Sequence, residues 1–410
     1  MKSNSRIKIC HIMCSLLLAL LIVLPGAVQA KDKIVIGQAV SLSGPNAVIH
    51  AAGGLPVQTL WVEEVNANGG IYIKEYGKKL PIEWIQYDDK SDHGTMVRLM
   101  EKLILKDKVD FLLPPCGTSY LYAAGPIANK HGYILMGAEG GAENLEKLVK
   151  DLPYVFLVLN YAKHQVPVLA DQFAEWGVKT AAFSYIEDLH GVEYNKRAVE
   201  EFEKRGIKVV WSKSHSLGAQ DVSQILKAAK ADNVDAFCSW SYPGENVLTT
   251  KQAIELGFNP KVFFESVGPF ALWFRDAFGA STIEGLMGGG AWNAKTSPAA
   301  KDLYDKIIAR FGEKSIDMWG NLYYWGALHF FQKAIEKAGT LDQKKIRDII
   351  ATDKFETPLG LTWFDEHQSL AQECHPGEIG QWINGEWEVV LPKNKATATP
   401  IFPKPAWPTN

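Results

Sequence analysis

Cysteine is scarce in this chain: five in 410 residues, with Cys10 and Cys14 inside the first thirty. The other three, Cys116, Cys238 and Cys374, form no Cys-x-x-Cys and no Cys/His spacing. A disulfide framework and a zinc site are excluded, and one disulfide at most is left among them. Positive charge is also short. The net charge is −3, and the first thirty residues hold three basic residues (Lys2, Arg6, Lys8) and no acidic one, leaving about −6 on the rest. Neither nucleic acid nor an anionic membrane surface is favoured as a partner by such a balance. No Gly-x-Gly-x-x-Gly follows the first predicted strand, so a dinucleotide reading lacks its main support, and no cofactor is expected. The longest apolar run, Ser15–Leu24, is too short to span a bilayer comfortably. With no later span or signalling module, a sensory ligand-binding domain that signals across a membrane on its own is not expected.

That apolar run sits between the basic start and the segment Pro25-Gly26-Ala27-Val28-Gln29-Ala30. A basic n-region, an h-region and a small-residue site predict a signal peptide over residues 1–30, cleaved after Ala30. An uncleaved anchor is the alternative, against which the break at Pro25-Gly26 stands. No Cys follows the cleavage site, so a lipid-anchored start is not expected, and the mature chain is exported without stable membrane insertion.

Beyond Lys31 short apolar runs alternate with helix-length segments, the pattern of parallel βαβ units. Lys33–Leu42 reads as a strand, part of Gly54–Asn66 as a helix closed by Asn68-Gly69-Gly70, and Leu80–Tyr87 as a strand before a helix at Thr95–Lys106. Asp110–Leu113 is a buried strand, followed by the loop Pro114–Ser119, a helix to about Lys130, a strand Tyr133–Gly137 and the Gly-rich loop Ala138–Ala142. After Tyr154–Leu159 the alternation restarts, with strands at Thr180–Tyr185, Lys208–Trp211, Asp235–Trp240 and Lys261–Glu265 separated by helices. Glu284–Ala291 is expected to recross to the first lobe. Amphipathic helices follow within Pro298–Phe311, Met318–Ala338 and Leu341–Ala351, then strands near Leu361–Phe364 and Trp382–Val390. Of the aromatics Trp319, Tyr323, Tyr324 and Trp325, most should be core and one or two should face a cavity. The tail from Pro392 is rich in Pro and polar residues and is expected to be extended. A chain of this length points to two α/β lobes, each with a parallel sheet.

In such sheets ligands sit beyond the carboxyl ends of the strands. Gly117-Thr118-Ser119 places backbone N–H groups and two hydroxyls at a helix start, suited to an anionic group or simply to capping. Asp88, Asp89 and Asp92 offer either oxygen ligands for a cation or caps for the next helix. Cys116, with His131 or His50 as base, is the best case for an enzyme, but no motif fixes a His beside it.

The segments IGQAVSLSGPNA, EVNANGGI, IQYDDKSD, CGTS, WSYPGEN with KQAIELGFNP, and FFESVGP stand in this order along the chain. In that order and spacing they resemble the branched-chain amino-acid type of periplasmic binding protein serving ABC transporters, the type I binding fold. The resemblance covers nearly the whole mature chain. It implies two Rossmann-like lobes joined by three crossovers, near Tyr154–Asn160, Gly285–Ala291 and Leu361–Phe364. The N-terminal lobe would comprise 31–155 and 288–361 and the C-terminal lobe 156–287 and 362–391, with 392–410 as a tail. It further implies a monomeric periplasmic receptor without catalysis, whose partners are a small amino-acid-like or carboxylate ligand and the permease and ATPase subunits of an importer. The ligand carboxylate would be held by Gly117, Thr118 and Ser119, with further contacts from Ala138 and Glu139. Tyr185 and Tyr242 would pack on the ligand, Glu265 would bind its ammonium, and His50 would stand roughly at a pocket aromatic.

Two departures from the family pattern carry consequences. Ser91-Asp92 stands where a Cys often pairs with the one in the third-strand loop, so Cys116 is expected to be a free thiol. Ala138-Glu139-Gly140-Gly141 puts a carboxylate where a small residue and a hydroxyl are common, which points to an amide or cationic ligand or places Glu139 outside the pocket.

Overall fold

The computed structural model describes residues 31–137, 140, 143–159, 162–290 and 292–408. The expected signal peptide at 1–30 and the loop residues Ala138, Glu139, Gly141 and Ala142 lie outside the described residues.

The first lobe opens with β1 (Ile34–Val40), α1 (Ala47–Ala52), α2 (Gly54–Ala67), a small hairpin of β2 (Ile71–Ile73) and β3 (Lys78–Leu80), then β4 (Ile82–Asp88). It continues with α3 (His93–Leu105), β5 (Phe111–Leu112), α4 (Thr118–Lys130), β6 (Leu135–Gly137), α5 (Glu143–Val149) and β7 (Val155–Leu157). Strands β4, β1 and β5 form a parallel sheet in that order, and β6 pairs with β7 in parallel. Six of the seven β1 residues are buried, as a parallel strand covered on both faces requires.

The second lobe runs α6 (Ala162–Glu175), β8 (Thr180–Ile186), α7 (Leu189–Lys204), β9 (Lys208–His215), α8 (Ser223–Ala231), β10 (Ala236–Trp240), α9 (Pro243–Glu255), β11 (Val262–Glu265), α10 (Leu272–Phe278) and β12 (Met287–Gly289). The chain then supplies α11 (Pro298–Phe311), α12 (Gly320–Ala338) and α13 (Gln343–Thr352), a hairpin of β13 (Phe355–Thr357) and β14 (Gly360–Thr362), and finally β15 (Ile379–Ile383) and β16 (Glu386–Leu391). Seven strands make the larger sheet, ordered β16-β15-β12-β11-β10-β8-β9, with β15 antiparallel to β12 and β16. No described helix is long and apolar enough to cross a membrane.

Several starts follow from capping chemistry. Asp92 accepts the Thr95 N–H at 2.7 Å to open α3, Asp188 accepts that of Gly191 at 2.9 Å to open α7, and Ser297 with Pro298 behind it opens α11. Asp88 accepts from the Leu42, Ser43 and Lys90 N–H groups, and Asp89 from the Ser41 hydroxyl and the Ser91 N–H. Asp92 thus caps the helix while Asp88 and Asp89 Oδ1 hold the turn, and Asp89 Oδ2 is buried without a hydrogen-bond partner among the described residues.

Two crossings differ in detail from the expectation. β12 is a strand of the larger sheet, and the chain leaves for the first lobe after it, where the Trp292 N–H donates to Met318 O at 3.1 Å. Ser369 still bridges to Leu157, and Leu370 N donates to Leu157 O, so the last crossing falls between Leu370 and β15 rather than at Leu361–Phe364. The tail is not a free extension. Phe402 stacks on Trp176 at 4.7 Å, Lys404 N donates to Lys261 O at 2.8 Å, and the Trp407 indole donates to Phe258 O at 2.7 Å.

Candidate functional site

In the smaller sheet the strand order reverses between β1 and β5, and in the larger one between β8 and β10. A crevice opens at such reversals, beyond the carboxyl ends of the strands. On the first lobe the loops after β1 and β5 are tied together, with Asn46 Nδ2 donating to Cys116 O at 2.9 Å and Gln38 Nε2 to Pro114 O at 2.8 Å. Gly117 then turns the chain into α4 at φ +104°, a conformation that side chains disfavour. Gly117 and the buried Thr118 thus stand at the start of a thirteen-residue helix, and both line a cleft between the lobes.

Facing them are Tyr242, at the N-cap of α9, and His190 in the first turn of α7. The Tyr242 hydroxyl donates to Asp188 Oδ2 at 2.6 Å, and Thr118 lines the same cleft from the opposite wall. His190 lies parallel to the Tyr242 ring at 5.2 Å and touches Ser266 Oγ at 3.4 Å. Burial lowers its pKa to about 4, so the imidazole is neutral. Val267, Gly268, Phe270 and Trp273, from the loop after β11 and the start of α10, continue the second-lobe wall. The cavity between the walls has a volume of about 40 Å³.

The third side comes from the segment between α11 and α12. Asp317, Trp319 and Tyr324 line the cleft there, so two of the four aromatics singled out in the sequence face it. Asp317 Oδ1 accepts the N–H groups of Trp319 and Gly320, each at 2.8 Å, while burial raises the carboxyl to about 6. Its backbone bridges to Ala271 of the second lobe, and Asn321 Nδ2 reaches Ala52 O and Gly53 O of the first at 2.8 and 2.6 Å.

The structure brings Gly117, Thr118 and Tyr242 together and places the other expected site residues that it describes elsewhere. Ser119 lies one step further round α4, where its hydroxyl is 2.9 Å from His93 Nε2. His50 is buried with Nε2 3.5 Å from Gln86, and its pKa falls to about 4, whereas its helix neighbours Ile49 and Ala52 line the cleft. Tyr185 sits within β8, across from Trp240 and Ser214, and packs on the second-lobe core. Glu265 is fully buried on the α9 side of its sheet, where the Thr250 hydroxyl donates to Oε2 at 2.9 Å. The strand ends at Glu265, so that side chain is still set on a face of the sheet, and it is Val267 and Gly268 in the loop beyond that reach the cleft. Burial pushes the Glu265 carboxyl well above its ordinary range, against the Thr250 hydrogen bond. Ala138 and Glu139 lie outside the described residues.

The enzyme alternative finds no support at Cys116. The thiol is fully buried and burial pushes its pKa up, the opposite of an activated nucleophile. Cys116, Cys238 and Cys374 are all unpaired. His190 and Asp317 were not singled out by sequence reasoning. Asp317 carried no local signal, because its place in the cleft follows from the backbone bridge to Ala271, which is distant in the chain.

A family model described as periplasmic binding protein matches residues 33–385. The leucine-, isoleucine-, valine-, threonine- and alanine-binding protein of Pseudomonas aeruginosa is 25% identical over 347 residues, covering 83% of this chain and 88% of its own. Leu/Ile/Val-binding protein homolog 7 of Brucella abortus is 23% identical, covering 92% and 96%. Among solved structures, the branched-chain amino acid transporter substrate binding protein of Streptococcus pneumoniae in complex with isoleucine aligns with TM-score 0.74 at 22% identity, over 88% of this chain and all of that one. The solute binding protein of an ABC transporter from Rhodopseudomonas palustris, in complex with 3,4-dihydroxybenzoic acid, aligns with TM-score 0.73 at 20% identity, over 87% and 95%.

Proposed function

Because the chain belongs to the periplasmic binding protein family, we propose that it is a periplasmic solute receptor that captures a small amino-acid-like or carboxylate ligand between its lobes and delivers it to the permease and ATPase subunits of an ABC importer. It is a binding protein and not an enzyme. The observation that carries the ligand reading is the juxtaposition of Gly117 and Thr118, at the start of α4, with Tyr242 on the opposite lobe. The helix dipole at that start favours a carboxylate. The tyrosine supplies an apolar face and a polar tip to the other side of the ligand.

A second reading, an aromatic acid, is favoured by the ring-rich wall of Phe270, Trp273, Trp319 and Tyr324. A thermal-shift screen of amino acids, aromatic carboxylates and short amides tests both. A ligand at about 100 times its dissociation constant adds about 2.7 kcal/mol of stability. A screen in which no carboxylate of either class raises the midpoint overturns the receptor reading.

A further inference from the structure

Within the cleft the charged groups are few. No Lys or Arg lines it among the described residues, and His190 is neutral. The one described cleft-lining carboxylate is Asp317, more than nine-tenths buried. One of its oxygens is committed to the Trp319 and Gly320 N–H groups. The other, Oδ2, lies 3.1 Å from the point where a side chain on Gly53 would begin, so glycine there keeps the approach open. No described Lys, Arg or His pairs with Asp317. A buried carboxylate with no countercharge is costly, and the missing countercharge is what a ligand can bring. The rings of Trp319, Tyr324 and Tyr242 line the same space, and ring faces attract cations.

Glu265, the residue the family resemblance assigns to the ammonium, is turned into the second lobe under α9. The segment carrying Asp317 is instead fastened to both lobes, through the Ala271 bridge and the Trp292 indole on one side and Asn321 on the other. We propose that Asp317 is the specificity-determining residue of the cleft: its free oxygen receives a protonated amino group of the ligand at a subsite built by the interlobe segment and not by the strand-end loops. This rests on the receptor reading above and narrows it to ligands that carry an amine.

The test uses two pairs of probes, L-phenylalanine with 3-phenylpropanoate and L-leucine with 4-methylpentanoate, titrated into the parent protein and into Asp317→Asn. Asn keeps an acceptor for the Trp319 and Gly320 N–H groups and removes the charge. The expected result is a parent that binds the amine-bearing member of a pair at least tenfold more tightly, and a variant that loses this preference while holding the des-amino member as well or better. A parent that binds both members equally, or a variant that retains the preference, overturns the proposal and leaves the receptor reading in place. Binding of neither pair rejects the proposal for these side-chain classes, and the receptor reading falls only if the wider carboxylate screen is also blank. A further measurement needs no variant. Among the described groups lining the cleft, His190 titrates near 4 and burial pushes Tyr242 well up, which leaves Asp317 as the group shifted to about 6. The parent's affinity for the amine-bearing probe should therefore fall between pH 7 and 5, and that for its des-amino partner should not. Parallel pH profiles for the two overturn the proposal.

Discussion

At the scale of single residues, the two buried carboxylates nearest the cleft separate by what surrounds them. Asp317 is raised to about 6 by burial, above its unfolded value, so between about pH 4 and 6 the empty folded protein binds a proton that the unfolded chain does not. Stability therefore falls as pH rises through that window, by about 3 kcal/mol at most. In Asp317→Asn, urea midpoints measured without ligand should lose this slope, and an unchanged slope would assign it to other groups. Glu265 is raised as well, with only the Thr250 hydroxyl donating to it. Glu265→Gln keeps a neutral hydrogen-bonding side chain, so ligand affinity should change by less than about twofold, well short of the ~2–5 kcal/mol that breaking a buried ligand ion pair costs. A tenfold loss for an amine-bearing ligand would return Glu265 to the site. Residue types at strand ends were legible from the sequence: Gly117, Thr118 and Tyr242 sit at the loops where the alternation put them. Whether a residue near a strand's end reaches the cleft was not, because one still inside the strand is set on a face of the sheet while one in the loop beyond is free to face the cleft, as Tyr185 and Glu265 show.

At the scale of elements, the alternating apolar runs gave strands and helices close to their places because parallel strands must be buried on both faces and helices must carry caps. The C-terminal tail shows where composition misled. Its Pro content reads as extended chain, and extended it is, but it is strapped onto the second lobe. The Trp407 ring is buried with its indole on Phe258 O, and it packs edge-on to Phe263 at 5.5 Å. Lys404 lies over the Trp407 ring at 3.3 Å and donates to Pro405 O, and burial lowers its pKa to about 7. At Gly285, φ is +79° and a side chain would meet Pro405 at 2.8 Å, so the strap fits against a glycine. Phe402 and Trp407 were the available signal, since aromatics in a polar Pro-rich segment need something to cover them. Trp407→Ala should cost about 3 kcal/mol, the low end for a buried tryptophan because the vacated site is near solvent. A lowered urea midpoint at unchanged slope checks this. A midpoint equal to the parent's would mean that the strap contributes nothing to the fold.

At the scale of the molecule, one side of the interlobe region is fixed and the other can part. Tyr323 of α12 donates to Glu378 Oε1 at 2.9 Å, Lys395 reaches the same oxygen at 3.0 Å, and His375 Nδ1 lies 2.6 Å from Oε2. Glu378 is held ionised, its pKa lowered to about 2 against the cost of burial, with His375 the leading favourable influence. Its stabilisation is full above the ordinary carboxylate pKa and is lost as pH falls toward 2, so this side stays joined at neutral pH. Across the cleft, Tyr242 and Thr118 stand on facing loops of the two lobes and come into contact where it closes. Opening must break such contacts, and a ligand touching both walls favours the closed form by its differential affinity for it. Small-angle scattering should therefore show a smaller radius of gyration for the parent saturated with a ligand from the screen than for the empty parent. Tyr242→Phe removes the hydroxyl that faces Thr118 across the cleft, where a polar contact is worth about 1 kcal/mol to the closed form. A cost of that size on the closed form alone moves the open-to-closed ratio several-fold, so the empty variant should be at least as expanded as the empty parent and should release ligand faster. If the parent's radius is the same with and without ligand while empty Tyr242→Phe is larger, the parent rests closed and the ligand enters through a minor open state. If all three radii agree at saturation, the lobes do not move on binding, and capture by closure is wrong.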